Sequence, residues 1–250
     1  MSSAASLPNS VHSLLPVTKF VSGRERSEAP PQLPILKDYF NALFDAHGPQ
    51  HWWPGRSRFE IIVGAILTQN TSWANVEAAI RNLRAARLLR PRAVESLSSA
   101  KLARLIRSSG YFRQKARKLK AFTRFLFAEY SGSLTRMFRT PTSALREQLL
   151  SVHGIGPETA DSILLYAGNH PVFVIDAYTR RILERHGLAT AKHSYEDLRA
   201  LFESSLPRDP QLFNEYHALI VYTGKHFCRK SQALCSDCPL NSFLTASVHQ

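Results

Sequence analysis

Cysteine is scarce in this sequence: there are three in 250 residues, all between positions 228 and 238. Such a cluster excludes a disulfide framework spread through the chain and points to a reducing compartment with a metal or cluster site. Acidic residues are also few. The chain carries 19 Asp and Glu against 32 Lys and Arg, a net charge of +13, which favours a polyanionic partner such as nucleic acid over a small metabolite. The plain alternative is a basic protein charged for solubility. No apolar run approaches the ~18 residues of a membrane span, so no membrane partner is expected. The N-terminus lacks a basic stretch followed by a long apolar core and a small-residue cleavage site, which leaves the cytoplasm as the expected compartment. No segment alternates convincingly at period two and no internal repeat is visible, so the expected fold is all-α.

What is present is organised around Leu149 to Arg185. Two helical patterns flank the tight turn Gly154-Ile155-Gly156, with Leu145, Leu149, Leu150 and Val152 facing inward on one side and Ala160, Ile163, Leu164 and Ala167 on the other. A Gly-x-Gly turn that opens a helix presents unpaired backbone N–H groups to an anion, and glycine lets a phosphate approach closely. Asp176 follows 20 residues after Gly156, at the mouth of another helix. There its carboxylate can cap orphan N–H groups and is favoured by the helix dipole.

The first 32 residues are rich in Ser, Pro and Ala and read as a tail without fixed structure. A helix is expected from Leu33 to about His47, stopped by Gly48-Pro49, followed by a loop through His51-Trp52-Trp53-Pro54-Gly55. Ser57 ahead of Glu60 is a capping candidate for a segment running to about Leu83, interrupted at Leu67 to Thr71. Further helices are expected at about 92–98, 99–107, 115–130, 142–151, 157–168, 176–186, 194–204 and 211–226. Basic residues concentrate at Arg81, Arg84, Arg87, Arg90 and Arg92 and again at Arg113, Lys115, Arg117, Lys118, Lys120 and Arg124. In the second run Leu119, Phe122, Phe125 and Leu126 form the buried stripe, which leaves the charges on a solvated outer face with a salt-sensitive attraction to phosphate.

The hairpin, the following aspartate, the loop HWWPG with FEIIVGAILTQNT, and Cys228-x6-Cys235-x2-Cys238 together resemble the helix-hairpin-helix DNA glycosylases of the endonuclease III superfamily over about residues 35–240. Within that superfamily they look most like the 3-methyladenine DNA glycosylase branch. The resemblance implies two all-helical lobes with a DNA-binding groove between them, one from 50–168 and one from 33–49 with 169–250. It implies a monomeric base-excision repair enzyme on double-stranded DNA with a flipped damaged base, associated with the nucleoid. Asp176 becomes the catalytic carboxylate that stabilises an oxocarbenium-like sugar and assists water. His153, Gly154, Ile155 and Gly156 become phosphate ligands, and Gln69 matches a residue that enters the DNA near the vacated base, unless it merely finishes a helix. Members that cleave the strand carry a lysine where this sequence has Glu158, and a carboxylate cannot form a Schiff base. The expectation is therefore base removal without strand cleavage and with no cofactor needed for the chemistry.

Trp52, Trp53 and Pro54 have two readings. They plug the gap between lobes, or they wall a pocket for an extruded base, where a cationic alkylated purine would be held by cation–π contact. The three cysteines match three of the four that hold a [4Fe-4S] cluster in many members; Leu244 stands at the fourth position and cannot ligate iron. Zinc on three thiolates and one histidine is a second possibility, and loss of any metal with retention of the helical packing is a third. His226, Asp237 and His249 are candidate fourth ligands, none at the family spacing.

Overall fold

The structure, a computed structural model, describes residues 33–53 and 55–244. The N-terminal tail, Pro54 and His249 lie outside the described residues. Among the described residues the fold is all-α: α1 (Ile35–His47), α2 (Arg58–Leu67), α3 (Trp73–Ala85), α4 (Pro91–Ser96), α5 (Ser99–Leu105), α6 (Phe112–Tyr130), α7 (Leu134–Met137), α8 (Thr142–Ser151), α9 (Pro157–Ser162), α10 (Ala177–Arg185), α11 (Tyr195–Ser205) and α12 (Pro210–His226). Extended pairing among these residues is limited to one isolated bridge, Cys228 with Ala233, and no helix is long and apolar enough to cross a membrane.

Local chemistry sets the ends of these elements. Ser57 caps α2 by accepting from the Glu60 N–H, as its spacing predicts. Gly48, at φ 64°, ends α1, in the left-handed region that glycine enters without a Cβ penalty. The expected interruption near residue 70 separates α2 from α3. Two elements depart from expectation: α6 starts at Phe112 rather than Lys115, and the short α7 has too few residues to show a period. Beyond Ser162, α9 continues as one π-helical turn, Ile163–Ala167, closed by the Gly168 N–H donating to the Ile163 carbonyl at 3.1 Å.

Two apolar cores form. The first gathers Ile62, Ile66, Val76, Leu83, Leu119, Phe122, Leu145 and Leu149. The second gathers Leu36 and Leu43 of α1 with Phe173, Ile182, Phe202, Phe213, Tyr216 and Leu219. The helix from Pro157 to Ala167 serves both, since Ile163, Leu164 and Ala167 enter the first and Leu165 and Tyr166 the second. It is therefore the element that fixes one core against the other.

The basic run on α6 is not wholly solvated. Arg113, Arg117 and Arg124 are exposed, but Lys115 is only 2% exposed and its Nζ donates to the carbonyls of Leu67 (2.8 Å) and Ser109 (2.6 Å). These carbonyls close α2 and the 3-10 turn Arg107–Ser109, and chain ends of that kind need donors. Burial, and after it the charge of Lys118, lower the Lys115 ammonium to about 8, while the two carbonyl acceptors favour its charged form.

Candidate active site

The hairpin turn joins α8 to α9. Val152 and Ile155 are buried and pin it to the first core, while His153, Gly156 and Glu158 are exposed. Ile155 turns its side chain inward, and its N–H donates to the Val152 carbonyl at 3.0 Å, so the N–H groups left for an outside anion lie at the start of α9. The two glycines do different work. Gly154 has φ 82°, and a Cβ there would lie 2.4 Å from Lys118 Cγ. Gly156 has φ −94° and nothing within 4 Å of a Cβ, so the fold itself does not require glycine at that position. Open space in front of the α9 N-terminus is what an approaching phosphate needs.

Gln69 is locked onto this turn. Its Nε2 donates to the Gly154 carbonyl (3.1 Å) and the Thr159 hydroxyl (2.9 Å), and its Oε1 accepts from Lys118 Nζ. Lys118 therefore crosses Gly154 with its stem and ends on Gln69. Because Lys115 ties Leu67 to Ser109, the loop carrying Gln69 also lies beside the loop carrying Tyr111, which is 66% exposed and in the left-handed region at φ 44°. Tyr111 has no periodic signature in the sequence, and its exposure appears only in the fold.

Asp176 caps α10: Oδ1 accepts from the Thr179 N–H at 2.8 Å and the Thr179 hydroxyl at 3.0 Å. Its other oxygen, Oδ2, is 3.7 Å from His217 Nε2. His217 is buried on α12, and its Nδ1 is 2.6 Å from the Tyr166 hydroxyl. Burial lowers the imidazole from its ordinary value although Asp176 opposes the shift, which favours the neutral ring. Glu158 stands close enough to the Asp176 carboxylate to feel its charge. Loss of hydration, and after it the charge of Asp176, raise its carboxyl to about 7. The residue is more than a third exposed, and this opening to water tempers the effect. The site therefore holds two carboxyl groups of different character, one an N-cap acceptor and one disposed to carry a proton.

Behind the hairpin, Asp161 is wholly buried and takes a two-pronged contact from Arg146, at 2.7 and 3.1 Å, while Arg146 also reaches Glu196 of α11 at 2.7 Å. This ion group braces α9 against the second core. The aromatic loop lies on the other side. Trp53 packs on Tyr166 (ring centroids 4.9 Å) and edge-on to Trp73 (5.1 Å), and Trp52 lies 5.4 Å from Trp53. Gly64 of α2 makes room, since a Cβ there would be 3.2 Å from the Trp53 ring. Both tryptophans pack against the second core, as a plug would, and through Tyr166 they also reach the His217–Asp176 contact, as a pocket wall would.

The three cysteines stand apart from this cleft. They line one cavity of about 190 Å³ together with Arg185, His186, Asn241 and Leu244, and Arg185 donates to Cys228 Sγ at 3.2 Å. The set does not fit a four-thiolate cluster: Leu244 brings a hydrocarbon to the fourth position. Among the described residues no three His, Cys, Asp or Glu side chains are grouped closely enough to hold a metal ion.

The chain is similar to several known proteins in sequence and in fold. Residues 63–208 match the model of the HhH-GPD superfamily of base excision DNA repair proteins. A protein of Methanocaldococcus jannaschii provisionally named a DNA repair glycosylase is 47% identical over 211 residues, spanning 84% of this chain and 95% of the relative. Among solved structures, the H. pylori 3-methyladenine DNA glycosylase MagIII, bound to 1,N6-ethenoadenine, superposes with TM-score 0.67 at 30% identity, covering 76% of this chain and 95% of that one. An endonuclease III in a non-covalent DNA complex shares the fold with TM-score 0.73 at 20% identity, covering 85% and 95%.

Proposed function

We propose, from the premise that this chain belongs to the HhH-GPD superfamily of base excision DNA repair proteins and is a DNA glycosylase of that kind, that it removes alkylated purines such as 3-methyladenine and leaves the abasic strand intact. The observation that carries this reading is the pair of carboxyl groups: Asp176 at the N-cap of α10 with Glu158, on the first turn of α9, close enough to feel its charge. Asp176 faces the sugar of a flipped nucleotide, stabilises the positive charge that develops as the base departs, and orients water for attack at the anomeric carbon. Glu158 occupies the position where strand-cleaving members carry an amine, and a carboxyl cannot form the imine that cleavage requires.

The remaining parts have roles consistent with this chemistry. The two cores act as two lobes, with the duplex across the groove between them. The N–H groups at Gly156 and the start of α9 hold a phosphate, with His153 and Gly154 beside it and Ile155 anchoring the turn from within, and Gln69 and Tyr111 face the space the base leaves. Trp52 and Trp53 wall the extruded base; an alkylated purine is cationic and its glycosidic bond is already weakened, so aromatic faces suffice to hold it. The scheme draws on no cofactor, and iron, sulfide and zinc content of freshly purified protein tests whether the three thiols hold a metal. One release assay across alkylated, oxidised, deaminated and mismatched duplexes tests the substrate. Preferential release of an oxidised or mismatched base overturns the alkylated-purine assignment, and no release from any duplex leaves a DNA-binding protein. Efficient borohydride trapping on damaged DNA that depends on this cleft overturns the claim that strand cleavage is absent.

A further inference from the structure

Asp176 is held unevenly. Thr179 satisfies Oδ1 twice, whereas Oδ2, the oxygen left to face a substrate, lies 3.7 Å from His217 Nε2. The His217 ring comes from α12, is 4% exposed, and Nε2 has no hydrogen-bond partner. At its other nitrogen, Nδ1, the Tyr166 hydroxyl approaches to 2.6 Å. Two neutral tautomers are available. If Nδ1 carried the proton, Nε2 would turn a lone pair on a carboxylate inside a buried site, which is repulsive. With the proton on Nε2, Tyr166 donates to Nδ1 and the Nε2–H points at Oδ2, so both contacts are favourable. The 3.7 Å separation exceeds a hydrogen bond, and a movement of about 0.7 Å brings it to ordinary length.

We infer that His217, fixed in the Nε2–H tautomer by Tyr166, is a positioning residue that holds Asp176 Oδ2 toward the sugar as positive charge develops there. The inference rests on the reading of Asp176 as the catalytic carboxylate. It extends that reading to two residues distant in the chain, since His217 lies 41 residues beyond Asp176 and 51 beyond Tyr166. Trp53, packed against Tyr166 with the rings tilted by 38°, joins the aromatic loop to the same chain of contacts. The geometry therefore ties the pocket wall to the orientation of the carboxylate. Without the N–H, Asp176 would remain anchored through Oδ1 but be free to turn its second oxygen.

The test does not need the identity of the damaged base. Duplexes carrying a cationic pyrrolidine abasic analogue and a neutral tetrahydrofuran analogue differ mainly in the charge presented to the carboxylate, and the ratio of their affinities reads how well Asp176 is aimed. Wild-type protein prefers the pyrrolidine duplex, and Asp176→Asn loses the preference; a wild-type ratio near one, or an Asp176→Asn ratio equal to wild type, overturns the reading of Asp176 and this inference with it. His217→Leu lowers the ratio about tenfold, as loss of one charge-directed donor would, with tetrahydrofuran-duplex affinity unchanged. His217→Gln, whose amide N–H reaches the Nε2 position, restores the ratio to within about threefold; His217→Asn, whose amide lies at the Nδ1 position, does not. Tyr166→Phe removes one oxygen at constant shape and lowers the ratio even if His217→Leu fails to fold. The inference alone is overturned if Asp176→Asn loses the preference while Tyr166→Phe and every folded His217 variant keep it.

Discussion

Replacing each glycine of the hairpin by alanine separates what the fold needs from what DNA needs. At Gly154 the methyl enters the left-handed region, which costs roughly 1–2 kcal/mol for a residue with a Cβ. It would also lie 2.4, 2.7 and 2.8 Å from Cγ, Cδ and Cε of Lys118. The lysine stem must move, and its ammonium then leaves Gln69 Oε1, a charge-assisted contact worth about 1.5–3 kcal/mol. The sum is about 2.5–5 kcal/mol, which for a chain of this size lowers Tm by roughly 5–20 °C. Gly156→Ala meets no atom within 4 Å at an ordinary φ of −94°, so stability should stay within about 0.5 kcal/mol of wild type. Its methyl instead occupies the approach to the α9 N-terminus, and affinity for an undamaged duplex should fall about tenfold, the equivalent of one hydrogen bond to a charged oxygen. Thermal melts and fluorescence anisotropy on the two variants give four numbers. Equal destabilisation by both, or wild-type DNA affinity in Gly156→Ala, would refute the division of labour.

The cleft and its supports carry three further expectations. Asp176→Asn should abolish base release in single-turnover assays while duplex affinity stays near wild type; an unchanged release rate removes Asp176 from the chemistry. Glu158 has a folded-state pKa raised to about 7, above its unfolded value, so the folded state binds more protons between about pH 4.5 and 7 and its contribution to stability falls as pH rises through that window. Melting curves at pH 5 and 8 should show this decline in wild type and a smaller one in Glu158→Gln, and equal declines would contradict the raised value. Arg146→Ala leaves Asp161, wholly buried, without its two-pronged partner and should cost about 3–5 kcal/mol in urea denaturation; a loss under 1 kcal/mol would show that α9 is not braced by this ion group.

The helices were legible in the sequence because apolar residues recur at the α-helical period and because Ser57, Gly48 and Asp176 mark ends by local hydrogen bonding. The hairpin and its aspartate were legible for the same reason, being close in the chain. Lys115 was misplaced by the pattern: a lysine within a basic run reads as solvent-facing, and only the ends of α2 and the 107–109 turn, arriving from elsewhere, supply the carbonyls that draw it inward. His217 carries no local signal, since it sits in a largely apolar helix and meets Tyr166 and Asp176 only after the second core assembles. Arg146 and Asp161 look like ordinary surface charges until α8 and α9 fold back on each other. Contacts between residues far apart in the chain have no period, and so leave no mark on the local pattern.

The π-helical turn at Ile163–Ala167 makes the cleft sensitive to chain length as well as to side-chain chemistry. A π turn fits one more residue into its circuit than an α turn does, so removing one residue and letting the turn tighten to α would redirect the side chains that the wider turn spreads between the two cores. Leu164 and Tyr166, which now serve different cores, could not both keep their partners. A single-residue deletion here would therefore be felt in the orientation of the Tyr166 hydroxyl before it was felt in hydrophobic content. Indels of one codon, usually tolerated in surface loops, are expected to be excluded from this stretch, and a deletion scan from Pro157 to Asn169 would trace the boundary residue by residue.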